Sequence, residues 1–171
     1  PSFHSRIIIT PCASYGQEDH EPNNGCIQSM KIPVPQIRTP PTLLKRRSGL
    51  HGWGMFTVDP IGKNKRIVEY AGEKITIAES ENREARYLAK GTIWCFRINR
   101  RWARDGNVQG NMARFINHAC KPNCYSMIIG HTVLICAARN IEADEELTYN
   151  YYTEGEGEIP CVCRPGCQNL L

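Results

Sequence analysis

Three thiols crowd the end of the chain in Cys161-Val162-Cys163-Arg164-Pro165-Gly166-Cys167. Cysteines two apart can chelate one ion, and a turn at Pro165-Gly166 brings the third around. Tetrahedral zinc needs a fourth ligand. Cys120, beside Pro122, is the candidate, and it would staple the tail over the Asn117-His118 pair. Free surface thiols, or a disulfide and a spare, are the alternatives. Asn117 and His118 offer donors and acceptors through amide, ring and backbone, which suits the adenine edge or amino-acid end of a small cofactor. Alternatively they satisfy a buried turn. His51-Gly52-Trp53-Gly54 sets an aromatic between glycines, a weak signal alone because glycine pairs often mark only a hairpin. Tyr149 and Tyr151 share one face in extended backbone. Two phenols with Trp94, Phe96 and Phe115 as further wall make a channel for an alkyl ammonium. An ordinary aromatic core strand would use the same residues.

Other chemistries lack their residues. The third glycine of a dinucleotide fingerprint is missing, and there is no Walker loop, His-Glu-x-x-His, convincing Ser-His-Asp order or defensible pair of glycosidase carboxylates. The 171 residues suggest one domain plus extensions, and 41% hydrophobic residues suffice for a core. A formal charge of +4 mildly favours an acidic or phosphate-rich partner surface. Lys45-Arg46-Arg47 is short and lacks interleaved aromatics, so nucleic-acid binding is not expected as the primary role. No run of 18 apolar residues or secretion signal is visible, so no membrane association is expected, and a start on Pro1 suggests an excised fragment. Nine cysteines, an odd number, argue against a complete disulfide framework and for a reducing compartment. Cys95 and Cys136 lie in apolar runs and read as core, while Cys12 and Cys26 are too far apart for a metal site.

Short strands must position these residues. Residues 1–42 read as a loosely structured arm, with a strand at 6–10, a polar stretch at 12–28 and prolines that impose extended backbone. The domain proper spans 43–152 and opens with two extended segments joined through glycines. A strand at 66–70 bends and continues through 71–75. Residues 77–90 form the helix, being rich in Ala, Glu, Arg and Leu. A strand at 94–98, a hairpin of 127–129 with 132–138 and a final segment at 144–152 complete a mainly β domain. Residues 153–171 form a linker, flexible at 155–158, and the cysteine motif.

In order along the chain, Gly52-Trp53-Gly54-Met55-Phe56, Glu69-Tyr70-Ala71-Gly72, Phe96-Arg97-Ile98, Arg114-Phe115-Ile116-Asn117-His118-Ala119-Cys120-Lys121-Pro122-Asn123-Cys124, Glu146-Leu147-Thr148-Tyr149-Asn150-Tyr151 and the cysteine tail resemble a SET-domain protein lysine methyltransferase over about residues 43–171. The likeness is greatest to the trithorax/Set1-type branch acting on histone H3 lysine 4. It implies small curled sheets with a pseudoknot-like threading, a short helix and a C-terminal post-SET zinc staple. It also implies methyl transfer from S-adenosylmethionine to a lysine of a basic protein, first a histone tail, in the nucleus, with activating subunits as possible partners. By position, His51, Trp53, Trp94, Asn117, His118 and Val162 correspond to cofactor-binding residues. Tyr151 corresponds to the catalytic tyrosine, and Tyr149 to the position that tunes how many methyls fit. Cys120, Cys161, Cys163 and Cys167 correspond to the zinc ligands. A tyrosine at 149 favours a mono- or dimethyl product. Two departures stand out: Trp94 replaces a common tyrosine, and three residues rather than four separate Cys163 from Cys167. A degenerate fold serving as a zinc-stapled chromatin or peptide-binding module, or a non-histone substrate, are the other readings.

Overall fold

A computed structural model describes residues 39–152 and 159–171. The expected strand at 6–10, the link at 155–158, and Cys12 and Cys26 lie outside the described residues.

Four small sheets carry the domain. Strands β1 (Leu43–Arg47) and β2 (Trp53–Thr57) form an antiparallel hairpin. Trp53 and Gly54 thus lie in a strand, and the turn falls earlier, where Gly52 takes φ 49°. Strand β3 (Arg66–Glu69) pairs with β9 (Thr132–Ala137), which pairs with β8 (Cys124–Ile129) in the hairpin expected around Gly130. Strand β4 (Glu73–Thr76) does not continue β3. It joins a second three-stranded sheet with β6 (Trp102–Asp105) and β5 (Cys95–Arg97). Gly72 makes the break possible, because a Cβ there would lie 2.3 Å from the Asp105 carbonyl oxygen. The domain is therefore mainly β, as expected.

Helix α1 (Ile77–Leu88) is the one α-helix among the described residues. Thr76 caps it by accepting from the Glu79 N–H at 3.2 Å. It ends short of residue 90, where Gly91 turns left-handed at φ 69°. Ile77 and Tyr87 pack on Ile75, Cys95 and Ala103 of the sheet beneath. Arg83 reaches down to the fully buried Asp105 at 2.8 Å, to Glu73 at 2.6 Å and to Glu79 at 2.7 Å. Tyr87 donates to the same Asp105 carboxylate at 2.8 Å. The main core lies on the other side, around Met55, Tyr70, Phe96, Ile116, Leu147 and Tyr149.

The last strand sets the topology. Strand β7 (Asn117–His118) and β10 (Thr148–Tyr149) pair in parallel, Thr148 opposite Asn117 and Tyr149 opposite His118. Only these two residues of the expected 144–152 segment form a strand. The residues just before them are held on the far side by β2, where Leu147 N–H donates to the Met55 carbonyl at 2.7 Å. Asn123 binds the segment from beneath. It donates to the Glu146 carbonyl at 2.7 Å and accepts from the Thr148 N–H at 2.8 Å. The chain thus runs between β2 and β7.

Glu84 has an unusual setting. It is buried on α1, one oxygen accepts from the Cys95 N–H at 3.0 Å, and Oε1 has no partner among the described residues. Burial pushes its carboxyl up to about 8. Between the ordinary carboxylate range and pH 8, the folded chain holds a proton that the unfolded chain has lost. Stability therefore falls as pH rises through this window and levels off above it. Urea unfolding at pH 5 and pH 8 should show a smaller difference in Glu84→Gln than in the unsubstituted protein. Equal differences would contradict this assignment.

Candidate active site and metal centre

The hairpin β1–β2, the turn into β7, the loop before β5 and the C-terminal segment surround one cavity of about 380 Å³. His51, Trp53, Trp94, Asn117, His118 and Val162 all line it, together with Tyr151. Tyr149 does not. It lies fully buried behind, its ring 4.9 Å from that of Tyr151 and stacked on Phe96 at 6.2 Å. Phe96 is likewise core rather than lining.

Asn117 contributes mainly inward. Its amide nitrogen donates to Glu146 Oε1 at 2.8 Å and to the Trp53 and His51 carbonyls at 3.1 and 3.3 Å. Ser48 Oγ donates to both oxygens of the same Glu146, at 2.8 and 3.0 Å. Gly54 admits this carboxylate, since a Cβ there would sit 2.2 Å from Glu146 Oε1. The turn that presents His51 and Trp53 is thus fastened to β7 and to the residue entering β10. Nothing in the sequence motif of residues 51–54 singled out Glu146 or Ser48.

His118 Nδ1 accepts from the Tyr151 N–H at 3.3 Å, and its Nε2 lies 3.4 Å from Cys120 Sγ. The neutral tautomer with the proton on Nε2 satisfies both contacts. Burial depresses the ring to about 4, which keeps it neutral. Tyr151 Oη donates to the Ile116 carbonyl at 2.9 Å. Burial raises this phenol well above its ordinary value, so it remains a donor with its lone pairs available. Arg114 and Leu171 also line the cavity, and sequence reasoning assigned neither. Arg114 places its guanidinium over Phe115 at 4.8 Å and Trp94 at 5.6 Å.

Cys120, Cys161, Cys163 and Cys167 bring their sulfurs within 4.8 Å of one another. Cys120 Sγ is 3.7 Å from Cys161 Sγ and 3.8 Å from Cys167 Sγ. A tetrahedron with Zn–S bonds of about 2.3 Å has edges of roughly 3.8 Å, so four thiolates so placed fit zinc. Omitting one residue between Cys163 and Cys167 does not displace a ligand. Asn169 Nδ2 donates to Cys120 Sγ at 3.0 Å and fixes the sulfur that carries the bridge. Burial pushes Cys161 up to about 12, while the Cys120 backbone amide draws Cys163 down to about 7. Four such crowded thiols become thiolates together only around a cation. The tail also pairs with itself, Ile159 and Leu171 exchanging backbone bonds of 3.2 and 2.8 Å, which presents Val162 to the cavity.

The SET domain model matches residues 52–152. The chain belongs to the SET domain family. The histone-lysine N-methyltransferase of Yarrowia lipolytica named H3 lysine-4 specific is 42% identical over 135 residues, covering 73% of this chain and 12% of that protein. The Saccharomyces cerevisiae protein of the same name is 40% identical over 136 residues, covering 73% and 13% respectively. The chain therefore spans about an eighth of the length of these relatives. Among solved structures, Chaetomium thermophilum Polycomb Repressive Complex 2 bound to GSK126 matches with a TM-score of 0.60 at 28% identity, over 66% of this chain and 16% of that one. A structure described as ctPRC2 in an autoinhibited conformation bound to S-adenosylmethionine matches with a TM-score of 0.61 at 28% identity, over 66% and 15%. The thiol cluster, contributed mostly by the tail beyond the matched residues, and the cavity share one wall, since Cys161 and Cys163 line the cavity.

Metal analysis of the purified protein should find one zinc per chain, and Cys163→Ser should lower that occupancy. Removing the metal should increase hydrogen exchange at residues 159–171, because binding and docking of the tail are one event. Full occupancy in Cys163→Ser, or unchanged exchange after metal removal, would contradict the four-thiol site.

Proposed function

We propose that this SET domain is an S-adenosylmethionine-dependent protein lysine N-methyltransferase, acting on a histone tail, with H3 lysine 4 as the first target. The observation that carries this reading is the convergence of His51, Trp53, Trp94, Asn117, His118 and Val162 with Tyr151 on one cavity. The relatives named H3 lysine-4 specific support the substrate. The nucleus is the corresponding compartment, and subunits that steady the tail or helix α1 are the expected partners.

His51, Trp53 and the edge of Asn117 would hold the cofactor from the hairpin side, with Val162 as the lining residue from the tail. When bound, S-adenosylmethionine would supply an electrophilic sulfonium methyl, to be displaced from sulfur by the lysine nitrogen's lone pair. Alignment therefore carries much of the rate. Aromatic walls exclude water and disfavour a charged ammonium, so the lysine reacts as the neutral amine and its proton leaves to solvent. Tyr151, its hydroxyl committed to the Ile116 carbonyl, directs its lone pairs sideways and orients the amine. The Ile116 carbonyl is a candidate for weak C–H contacts to the methyl. Tyr149, buried against Tyr151, restricts room for added methyls and favours a mono- or dimethyl product.

Mass spectrometry of H3 peptides and histone octamers incubated with the protein and S-adenosylmethionine tests this. One or two methyls on a single lysine are expected, abolished in Tyr151→Phe. In Tyr149→Phe, trimethyl product should become a major species. No transfer to any histone despite cofactor binding would overturn the substrate, and failure to bind the cofactor would leave a recognition module.

A further inference from the structure

We propose that Tyr87, on helix α1, is a positioning residue of the transfer site: it holds the Trp94 ring that walls the cavity. The proposal rests on the methyltransferase reading for its kinetic consequence, but its structural content stands apart from turnover.

Trp94 lies just outside β5, so no ladder of strand bonds fixes it. Its backbone is held from three directions. The Trp94 carbonyl accepts from Tyr70 Oη at 2.8 Å and from the Gly106 N–H at 2.9 Å. The next N–H, of Cys95, donates to Glu84 at 3.0 Å. None of these bonds orients the ring. Two side chains meet the ring itself. The Tyr87 ring meets Trp94 edge-on, with centroids 5.2 Å apart at 61°. The Arg114 guanidinium lies 5.6 Å from the Trp94 centroid. The Tyr87 contact is the tighter of the two, and Tyr87 itself is not free to turn.

Its hydroxyl donates to Asp105 Oδ2 at 2.8 Å and accepts from Asn107 Nδ2 at 3.3 Å. Asp105 is fully buried, and Arg83 and the Asn107 N–H hold it at 2.8 Å each. Rotating Tyr87 would leave that carboxylate one donor short, a costly state in the interior. Burial raises the Tyr87 phenol above its ordinary value, which keeps the donor in place. Glu84 and Tyr87 are three residues apart and share a helix face. One fixes the backbone beside Trp94, and the other fixes its ring. Helix α1 therefore sets where this wall of the cavity stands. The ion network of Arg83 locks it there, although no α1 residue itself lines the cavity.

The test uses the three tryptophans, 53, 94 and 102. In a protein carrying Trp53→Phe and Trp102→Phe, the remaining indole is Trp94. Acrylamide quenching of its fluorescence should rise clearly on Tyr87→Leu. It should rise only slightly on Tyr87→Phe, which keeps the ring and loses the anchor. In the otherwise unsubstituted chain, Tyr87→Leu should raise KM for S-adenosylmethionine by about tenfold, more than it lowers kcat. In a Trp94→Ala background it should change neither further. Unaltered quenching in a folded Tyr87→Leu protein, or additive kinetic effects of the two substitutions, would overturn the proposal. Should Tyr87→Leu fail to fold, Tyr87→Phe with Arg83→Lys decides. Loosening the anchor at both ends must then raise Trp94 quenching, and unchanged quenching refutes the claim. If the unsubstituted protein transfers no methyl, the functional reading fails while the quenching comparison still decides the role of Tyr87.

Discussion

The site depends on one carboxylate held between three pieces of chain. Glu146 accepts from Ser48 in the hairpin turn and from Asn117 in β7, while its own carbonyl accepts from Asn123. Its neighbours continue the stitching, Leu147 to Met55 and Thr148 to Asn117. A two-residue parallel pair such as β7–β10 contributes few ladder bonds, and parallel pairing is slightly less stable per residue than antiparallel. Side-chain bonds to Glu146 and Asn123 replace the missing ladder. The same bonds bring the hairpin turn, the Asn117-His118 pair and the segment of Tyr149 and Tyr151 together. The hairpin side and the Tyr151 side of the cavity are thus assembled by one polar junction rather than by a continuous sheet.

The tail supplies the remaining wall by different physics. Residues 159–171 pair with themselves only briefly and bring three thiols to within 4.8 Å of Cys120 and of one another, a set that would couple metal binding to docking of the tail. Cys120 belongs to the domain and the other three to the tail. His118, two residues before Cys120, contacts both the sulfur and the Tyr151 backbone. The thiol cluster, the cavity wall and the Tyr151 backbone therefore meet at residues 118–120. Each part of the site is under constraint from another: α1 positions the Trp94 wall, the junction positions Asn117, and the thiol cluster positions Val162.

Sequence patterns revealed these pieces unevenly. Asn117, His118, Cys120 and the tail cysteines were legible because ligand chemistry restricts residue type and spacing within a short stretch. The hairpin of β8 and β9 was legible because its apolar runs flank Gly130. The role of Glu146 was not, since its motif carries no sign of the long-range partners Gly54 and Ser48 that face it. Strand β6 escaped notice because its Arg104 alternates with buried Ala103 and Asp105, and the arginine spends its donors on the Gly72 and His131 carbonyls. The break between β3 and β4 is a packing effect at Gly72, invisible to periodicity. Tyr149 and Tyr151 were expected on one face, and they do touch. Only Tyr151 lines the cavity, and Tyr149 lies buried behind it against Phe96.

The most direct measurement is the calorimetric affinity of the protein for S-adenosylmethionine, before and after Glu146→Ala. Removing the carboxylate takes the acceptor from Ser48 Oγ and the nearest of three acceptors from the Asn117 amide, a loss of about 1–3 kcal/mol. The account predicts at least a tenfold weaker affinity, on the order expected from that loss, while the protein remains folded by circular dichroism. Unchanged affinity in a folded Glu146→Ala protein would contradict the claim that this junction assembles the site.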